Sequence, residues 1–499
     1  MRTRGARAAL AVLAMLAAAA TPAIAKEQKI GDPPEAKNMR LVGYSDLQAR
    51  SAYQPTIHQQ NGRWIAYIGH HGGTPEEPKP LNPLTGQREF NGTSIVDVTD
   101  PRHPKYLAHI PGEEGQYEAG GAQMVRVCDG KTLPKGDPDK TYMLRTFGNS
   151  AHEVWDTSDP AKPVLVSRIT GIKGTHKNWW ECDTGIAYLV SGAPDWRVNR
   201  MTQVYDLSDP AHPVFIRDFG LVGQQPGATG PVPTPLHGMI STGPKGNRIY
   251  FGYGTNGGGI LQIVDRDKLL NGPKEPTPEN LLYPQVGRLD LSTLVGAHTT
   301  FPMLHMKLAE FAHDKKGSIR DFVAITDEQI ANECGEARQM VWFADVTDET
   351  HPMVVSNFHV PEASGDFCAR GGRFGTHSSS ENMAPVYYEK VMFFSHFNAG
   401  VRAVDVHDPF APREIGYFIP AISKDTDKRC VKVDGKDRCK VAIQTNNVEF
   451  DDRGYIYIVD RANTGMHILE LTGEARQVAE LPPLKSARDQ LIPKRFISR

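Results

Sequence analysis

Beyond its first residues, the 499-residue chain has no stretch approaching 18 uninterrupted apolar residues, so no membrane-spanning helix is expected. It also lacks any block of like charge. Its 56 basic and 58 acidic residues nearly cancel and form no extended basic stripe, which excludes nucleic acid as an expected partner. Phosphate-cradling Gly-rich loops, a Ser nucleophile elbow, His-Glu-x-x-His and paired Cys-x-x-Cys motifs are missing, so the standard hydrolase and dinucleotide readings lose support. No long stretch has helical periodicity. What the chain does have is glycine and proline, 47 and 37 of them, a composition that suits many short strands joined by tight turns.

The N-terminal end carries Arg2, Arg4 and Arg7, an apolar run over residues 8–20, and the small-x-small site Ala23-Ile24-Ala25 before Lys26. That is the pattern of a secretory signal peptide cleaved after Ala25, and it predicts a periplasmic or secreted protein. Adjacent arginines are missing from the charged segment, which points to export of the unfolded chain. A metal would then be acquired outside the cytoplasm. The expected layout is a signal peptide over 1–25, a linker over 26–37, a repeat domain over 38–482 and a tail over 483–499.

One pattern returns along the chain: a short strand ending in an acidic residue, a polar turn usually containing Asp-Pro, a further Pro, and a second strand. Copies are Thr93-Ser-Ile-Val-Asp-Val-Thr-Asp-Pro101, His152-Glu-Val-Trp-Asp-Thr-Ser-Asp-Pro160, Thr202-Gln-Val-Tyr-Asp-Leu-Ser-Asp-Pro210, Leu261-Gln-Ile-Val-Asp265, Val341-Trp-Phe-Ala-Asp-Val-Thr-Asp348 and Val401-Arg-Ala-Val-Asp-Val-His-Asp-Pro409. Met466-His-Ile-Leu-Glu-Leu471 is a weaker seventh. The period is roughly 50–80 residues, a long repeat with variable loops. Each period reads as four strands, and four-stranded units arranged around an axis make a β-propeller. The fold expected is all-β, a seven-bladed β-propeller of four-stranded blades, with Met39-Arg-Leu-Val-Gly-Tyr44 pairing with the last blade to close the ring.

Through Leu261-Gln-Ile-Val-Asp265 and Val401-Arg-Ala-Val-Asp405, the chain resembles the LVIVD-repeat proteins, propeller-like exported or surface proteins, over roughly residues 38–482. One blade, Phe393-Phe-Ser-His-Phe-Asn-Ala-Gly-Val-Arg-Ala-Val-Asp-Val-His-Asp-Pro409, is similar to selenium-binding proteins and methanethiol oxidases, which are also propellers. The repeat family implies fold and export but no agreed chemistry, so function has to come from the site.

Six cysteines in an exported chain suggest disulfides. In Cys430-Val-Lys-Val-Asp-Gly-Lys-Asp-Arg-Cys439, Asp434-Gly435 signals a two-residue hairpin, and counting outward places Cys430 opposite Cys439 in a non-hydrogen-bonded pair. Cys128 and Cys182 end the first strands of neighbouring repeats, which suggests a bridge between blades. Cys334 and Cys368 remain, in loops on one face.

The phase of the histidines carries the candidate site. His176, His237, His298 and His377 stand at or just before the innermost strand of four successive units, and His58 takes a similar place in the first. His70, His71 and His396 lie in loops between second and third strands, which open on the same face. Imidazoles converging on an axis suit Fe, Cu, Zn or Ni, and Glu381 is a candidate to orient His377. The alternative is that such histidines only tie adjacent blades together. Trp179, Trp180, Trp196 and Arg197 are candidates to line a pocket, with packing between blades the alternative for the first two. His103, His212, His351 and His407 read as surface turn residues, and the repeated aspartates as acceptors for turn amides. Loops over 72–92, 221–235, 271–284 and 303–317 are long enough to build a binding site. Two functions follow: a metal-dependent oxidoreductase acting on a small molecule, or a non-catalytic propeller that binds a small-molecule or protein ligand.

Overall fold

Each period of the repeat becomes one antiparallel sheet. The computed structural model describes residues 28–308 and 318–484, so the signal-peptide reading lies outside the described residues. Blade 1 contains Ala52–Gln60, Arg63–His71, Gly92–Asp97 and Lys105–Pro111. Blade 2 contains Val125–Asp129, Thr141–Phe147, Ala151–Asp156 and Val164–Ile169. Blade 3 contains Asn178–Trp180, Ile186–Ser191, Met201–Asp206 and Val214–Phe219. Blade 4 contains Leu236–Ser241, Arg248–Tyr253, Ile260–Asp265 and Gln285–Asp290. Blade 5 contains Thr299–Lys307, Ile319–Thr326, Val341–Asp345 and Met353–Phe358. Blade 6 contains Val391–Ser395, Val401–Asp405 and Arg413–Ile419, and blade 7 contains Thr445–Phe450, Ile456–Asp460 and Met466–Leu471. The chain is a seven-bladed β-propeller of four-stranded antiparallel sheets.

The repeated aspartates explain why the pattern gives this shape. Asp97, Asp156, Asp206 and Asp345 each end a third strand and accept the backbone N–H two residues on, at 2.9, 3.0, 2.7 and 2.8 Å. A carboxylate bonded in this way fixes the turn into the fourth strand. In blade 4, Asp265 instead caps the short helix Arg266–Asn271, accepting from Lys268 N at 2.9 Å. A register shift sits at one place between third and fourth strands in six blades, for example at Val154/Trp155, Val204/Tyr205 and Ala403/Val404. Such bulges increase local twist, which a blade radiating from an axis needs.

The ring closes through the N-terminal segment. Met39–Ser45 is the outer strand of blade 7, with Met39 opposite Leu471 and Tyr44 opposite His467. Glu35–Lys37, expected within the linker, pairs with Arg413–Ile419 at the outer edge of blade 6. The innermost segment of blade 6 is less regular than the repeat suggests. Only Ser379 bridges Phe394, although His377 N and Ser380 N donate to Ser395 O and Phe393 O at 3.0 and 2.9 Å. Two of the long loops carry structure of their own: the pair Leu81–Asn82 and Gln87–Arg88, and the helix Pro278–Leu282. The core lies between blades, as where Tyr188, Val190 and Phe219 of blade 3 pack with Met239 and Phe251 of blade 4. Among the described residues no helix is long and apolar enough to cross a membrane.

Candidate metal centre

Sheet register decides which side chains meet on the axis. His176 N donates to Val190 O, His298 N to Thr326 O and His377 N to Ser395 O, so each precedes its inner strand and is tied to the same point on the second strand. His237 sits in the equivalent place, one residue before the Gly238–Gly252 pair. Counting back from each third strand puts Tyr53, Gln123 and Asn446 at the matching positions of blades 1, 2 and 7. Around the ring the seven positions therefore read Tyr, Gln, His, His, His, His and Asn.

All four histidines are at least 97% buried and form a fan of rings, with successive centroids 4.6, 3.7 and 4.4 Å apart. His176 Nε2 lies 2.9 Å from His237 Nε2, and the Tyr53 hydroxyl lies 3.3 Å from His176 Nε2 and 3.5 Å from His298 Nε2. The tightest donor group is His237, His298 and Glu328, whose ligand atoms all fall within 4.8 Å of one another. His176 adjoins this group through His237. His377 adjoins it through Glu328 Oε1, 3.5 Å from its Nε2. A metal about 2.1 Å from two imidazole nitrogens holds those nitrogens about 3.0–3.4 Å apart, and the 2.9 Å between His176 and His237 Nε2 falls just short of that range. This histidine and glutamate cluster is capable of coordinating a metal ion.

Burial pushes all four imidazoles well below their ordinary range, and charges from Arg200, Arg461, Lys177 and neighbouring histidines act in the same direction. They are neutral. His237 Nδ1 faces His298 O at 3.1 Å, and His377 Nδ1 faces Asn446 O at 2.6 Å. A carbonyl only accepts, so these two rings carry their proton on Nδ1 and turn an Nε2 lone pair inward. His298 Nδ1 is held by Thr299 Oγ1 at 2.8 Å. Glu328 is fixed by Arg373 at 2.8 Å and Arg461 at 3.5 Å; burial raises its carboxyl and the two guanidinium groups oppose that. Burial also raises the Tyr53 phenol, which stays protonated.

The other candidates fall elsewhere. His71 reaches the rim of the cluster, 4.9 Å from Tyr53 between ring centroids and 3.3 Å from Arg461. His58 lies five residues beyond the ring position that Tyr53 occupies, and it pairs with Asp129 at 2.9 Å. His70 is bonded to Ser51 O and Ser94 Oγ inside blade 1, and His396 packs against Phe358. Glu381 does not orient His377. Its carboxylate pairs with Lys177 at 2.9 Å and with Arg126; burial works to raise it, but those two charges hold it down to about 2. Trp180 and Trp196 are core residues between blades, and Trp179 lies under the Arg126 guanidinium. Arg197 ties down a loop through Gly223 O and Gly230 O. His103, His212 and His351 are exposed and His407 is close to half-exposed.

Sequence reasoning missed Glu328, Tyr53, Arg373 and Arg461. Glu328 and Arg461 follow the second strands of their blades, as His71 and His396 end or follow theirs, so the same phase argument applied to that loop would have found them. The six cysteines form Cys128–Cys182, Cys334–Cys368 and Cys430–Cys439.

Fold and site together define a seven-bladed propeller with a buried histidine and glutamate cluster on its axis. No family model matches the sequence, and no curated protein sequence does. Among solved structures it is similar to a hypothetical selenium-binding protein from Sulfolobus tokodaii (TM-score 0.48, 13% identity, 86% of this chain and 95% of that one). It is also similar to Sqt1 from Chaetomium thermophilum (0.46, 9%, 88% and 99%) and Sqt1 from Saccharomyces cerevisiae (0.44, 8%, 86% and 98%).

Proposed function

We propose that His237, His298 and Glu328, flanked by His176 and His377, hold one transition-metal ion, and that the protein is an exported metal-dependent oxidoreductase acting on a small molecule. The observation that carries this reading is the convergence of the neutral, buried imidazoles of His237, His298 and His377, whose Nδ1 atoms are occupied by carbonyl or hydroxyl partners, with His176 and Glu328. The carbonyl partners of His237 and His377 turn their Nε2 lone pairs inward beside the Glu328 carboxylate, a donor set that suits a cation. Imidazole suits Fe, Cu, Zn and Ni, and three of those change oxidation state, which favours redox chemistry over structure. Arg373 and Arg461 fix Glu328, while Tyr53 presents a protonated hydroxyl to the centre. The leader-like N-terminus and the pairing of all six cysteines support export. The strand-ending aspartates support a place among the LVIVD-repeat proteins.

Elemental analysis of an exported, disulfide-intact preparation tests the centre. One metal per chain is expected in the wild type and in His58→Ala, and little or none in His237→Ala and His298→Ala. A metal-free wild type, or metal retained unchanged in both of those variants, overturns the reading. The histidines would then be ties between blades, and the chain a non-catalytic binding propeller.

A further inference from the structure

A cavity of about 740 Å³ opens on the face where the inner strands begin, and its volume lies in the range typical of small-molecule sites. None of the four histidines or Glu328 lines it, but its walls include chain neighbours of two of them. Gly174 lies two residues before His176, and Pro235 and Leu236 lead directly into His237. The remaining walls are loops between second and third strands, with Asn149 from blade 2, Asn199 and Arg200 from blade 3, and residues 254–257 from blade 4.

Its charge is one-sided. Lys173 and Arg200 line it, and no carboxylate does. The Arg200 guanidinium is only partly exposed, yet it makes no hydrogen bond or ion pair among the described residues, and neither does the Lys173 ammonium. The charge of Arg200 bears on Glu118, which also lies 3.7 Å from Arg461. Arg200 also stands close enough for its charge to bear on His176, His237 and Glu328. A partly exposed guanidinium whose side chain makes no hydrogen bond is a docking point for a planar anion, because its fork matches a carboxylate in two parallel hydrogen bonds.

We propose that the substrate of this centre is a small organic acid, whose carboxylate docks on Arg200 and Lys173 while its body lies against Pro235 and Leu236 toward the histidines. This assignment rests on the metal-centre reading above. The amide groups of Asn149, Asn199 and Asn256 give the cavity further polar contacts, and Leu236 gives it an apolar wall. Lys173 is exposed and stays hydrated, but a neutral or cationic substrate of the same size would cover Arg200 without giving it an anion, which costs binding energy.

Fluorine NMR on the full exported chain tests this with difluoroacetate, 4-fluorobenzoate and 4-fluorophenylacetate, each beside its amide. At least one acid is expected to bind tenfold or more tightly than its amide. Arg200→Gln is expected to lose that tenfold while keeping its metal, and it keeps the backbone bond from Leu236 N to the carbonyl of residue 200. After exchange with Co(II), the bound acid's signal should broaden and shift, because the probe lies beside the ion. The proposal is overturned if no acid binds, if acid and amide bind alike, or if Arg200→Gln binds undiminished. Elemental analysis of the same samples separates the two readings. Metal present with binding indifferent to Arg200 overturns the pocket alone. Metal absent with Arg200-dependent binding retained overturns the centre, and the substrate assignment falls with it.

Discussion

Glu449 shows how strongly position governs a single carboxyl. It lies on the inner strand of blade 7, 5% exposed, and accepts from Phe450 N at 3.0 Å and Glu381 N at 3.2 Å. Burial raises it from 4.5 to about 8, the negative Glu381 adds to the rise, and Arg126 opposes it. Folding therefore favours the protonated form. Its contribution is fully present below about pH 4.5 and is lost as the pH climbs through about 8. Glu449→Gln, which keeps the shape and one of the two acceptor oxygens, is expected to gain more than about 1 kcal/mol of stability relative to the wild type between pH 5 and pH 9. Urea denaturation at pH 5, 7 and 9 reads this directly, and parallel stability curves for the two chains would show that Glu449 is not the buried acid. Residues of this kind explain what the sequence hides. The four histidines were visible because one residue type recurs in phase over four blades. At the same ring position Tyr53, Gln123 and Asn446 change type, and Glu328 stands in a different loop class, so repetition alone does not expose them.

At the scale of strands and turns, legibility follows how local the determinant is. Asp434-Gly435 was readable because a two-residue hairpin needs positive φ at both central positions, and these residues adopt 49° and 76°. Cys430 then falls opposite Cys439. The strand Glu35–Lys37 was not readable, because three residues of mostly polar character show no alternation and owe their conformation to the edge of blade 6. The same distinction separates the disulfides by energetic effect. Cys128–Cys182 spans 54 residues and joins the ends of neighbouring blades, whereas Cys430–Cys439 spans 9 within an exposed hairpin outside the blades. Replacing Cys128 and Cys182 with Ser should lower global stability by about 2–4 kcal/mol. Replacing Cys430 and Cys439 should leave the main unfolding midpoint nearly unchanged, since the hairpin can open without the ring. Denaturant unfolding of both double variants checks the contrast, and equal losses would mean that the hairpin is part of the cooperative unit.

Across the whole molecule, two devices act on the ring at different radii. The outer one is the closure strand Met39–Ser45, which covers Ile468 and Leu469 and buries Leu41 against blade 7. The inner one is the histidine fan, which gathers side chains from blades 3 to 6 on the axis. An ion that binds only the folded ring stabilises it by about 2.7 kcal/mol at a hundredfold excess over its dissociation constant. Chelation should therefore lower the Tm of the wild type by several degrees and leave that of His298→Ala unmoved. Leu41→Asp places a charge in the closure seam, so its Tm should fall with or without metal. Because the seam and the axis share no residues, the two losses should add when both are imposed. Calorimetry of the four states gives the answer. If chelation leaves the Tm of the wild type unchanged although metal has been removed, the ion does not bind the folded ring in preference to the unfolded chain, and it is not a device that holds the blades together.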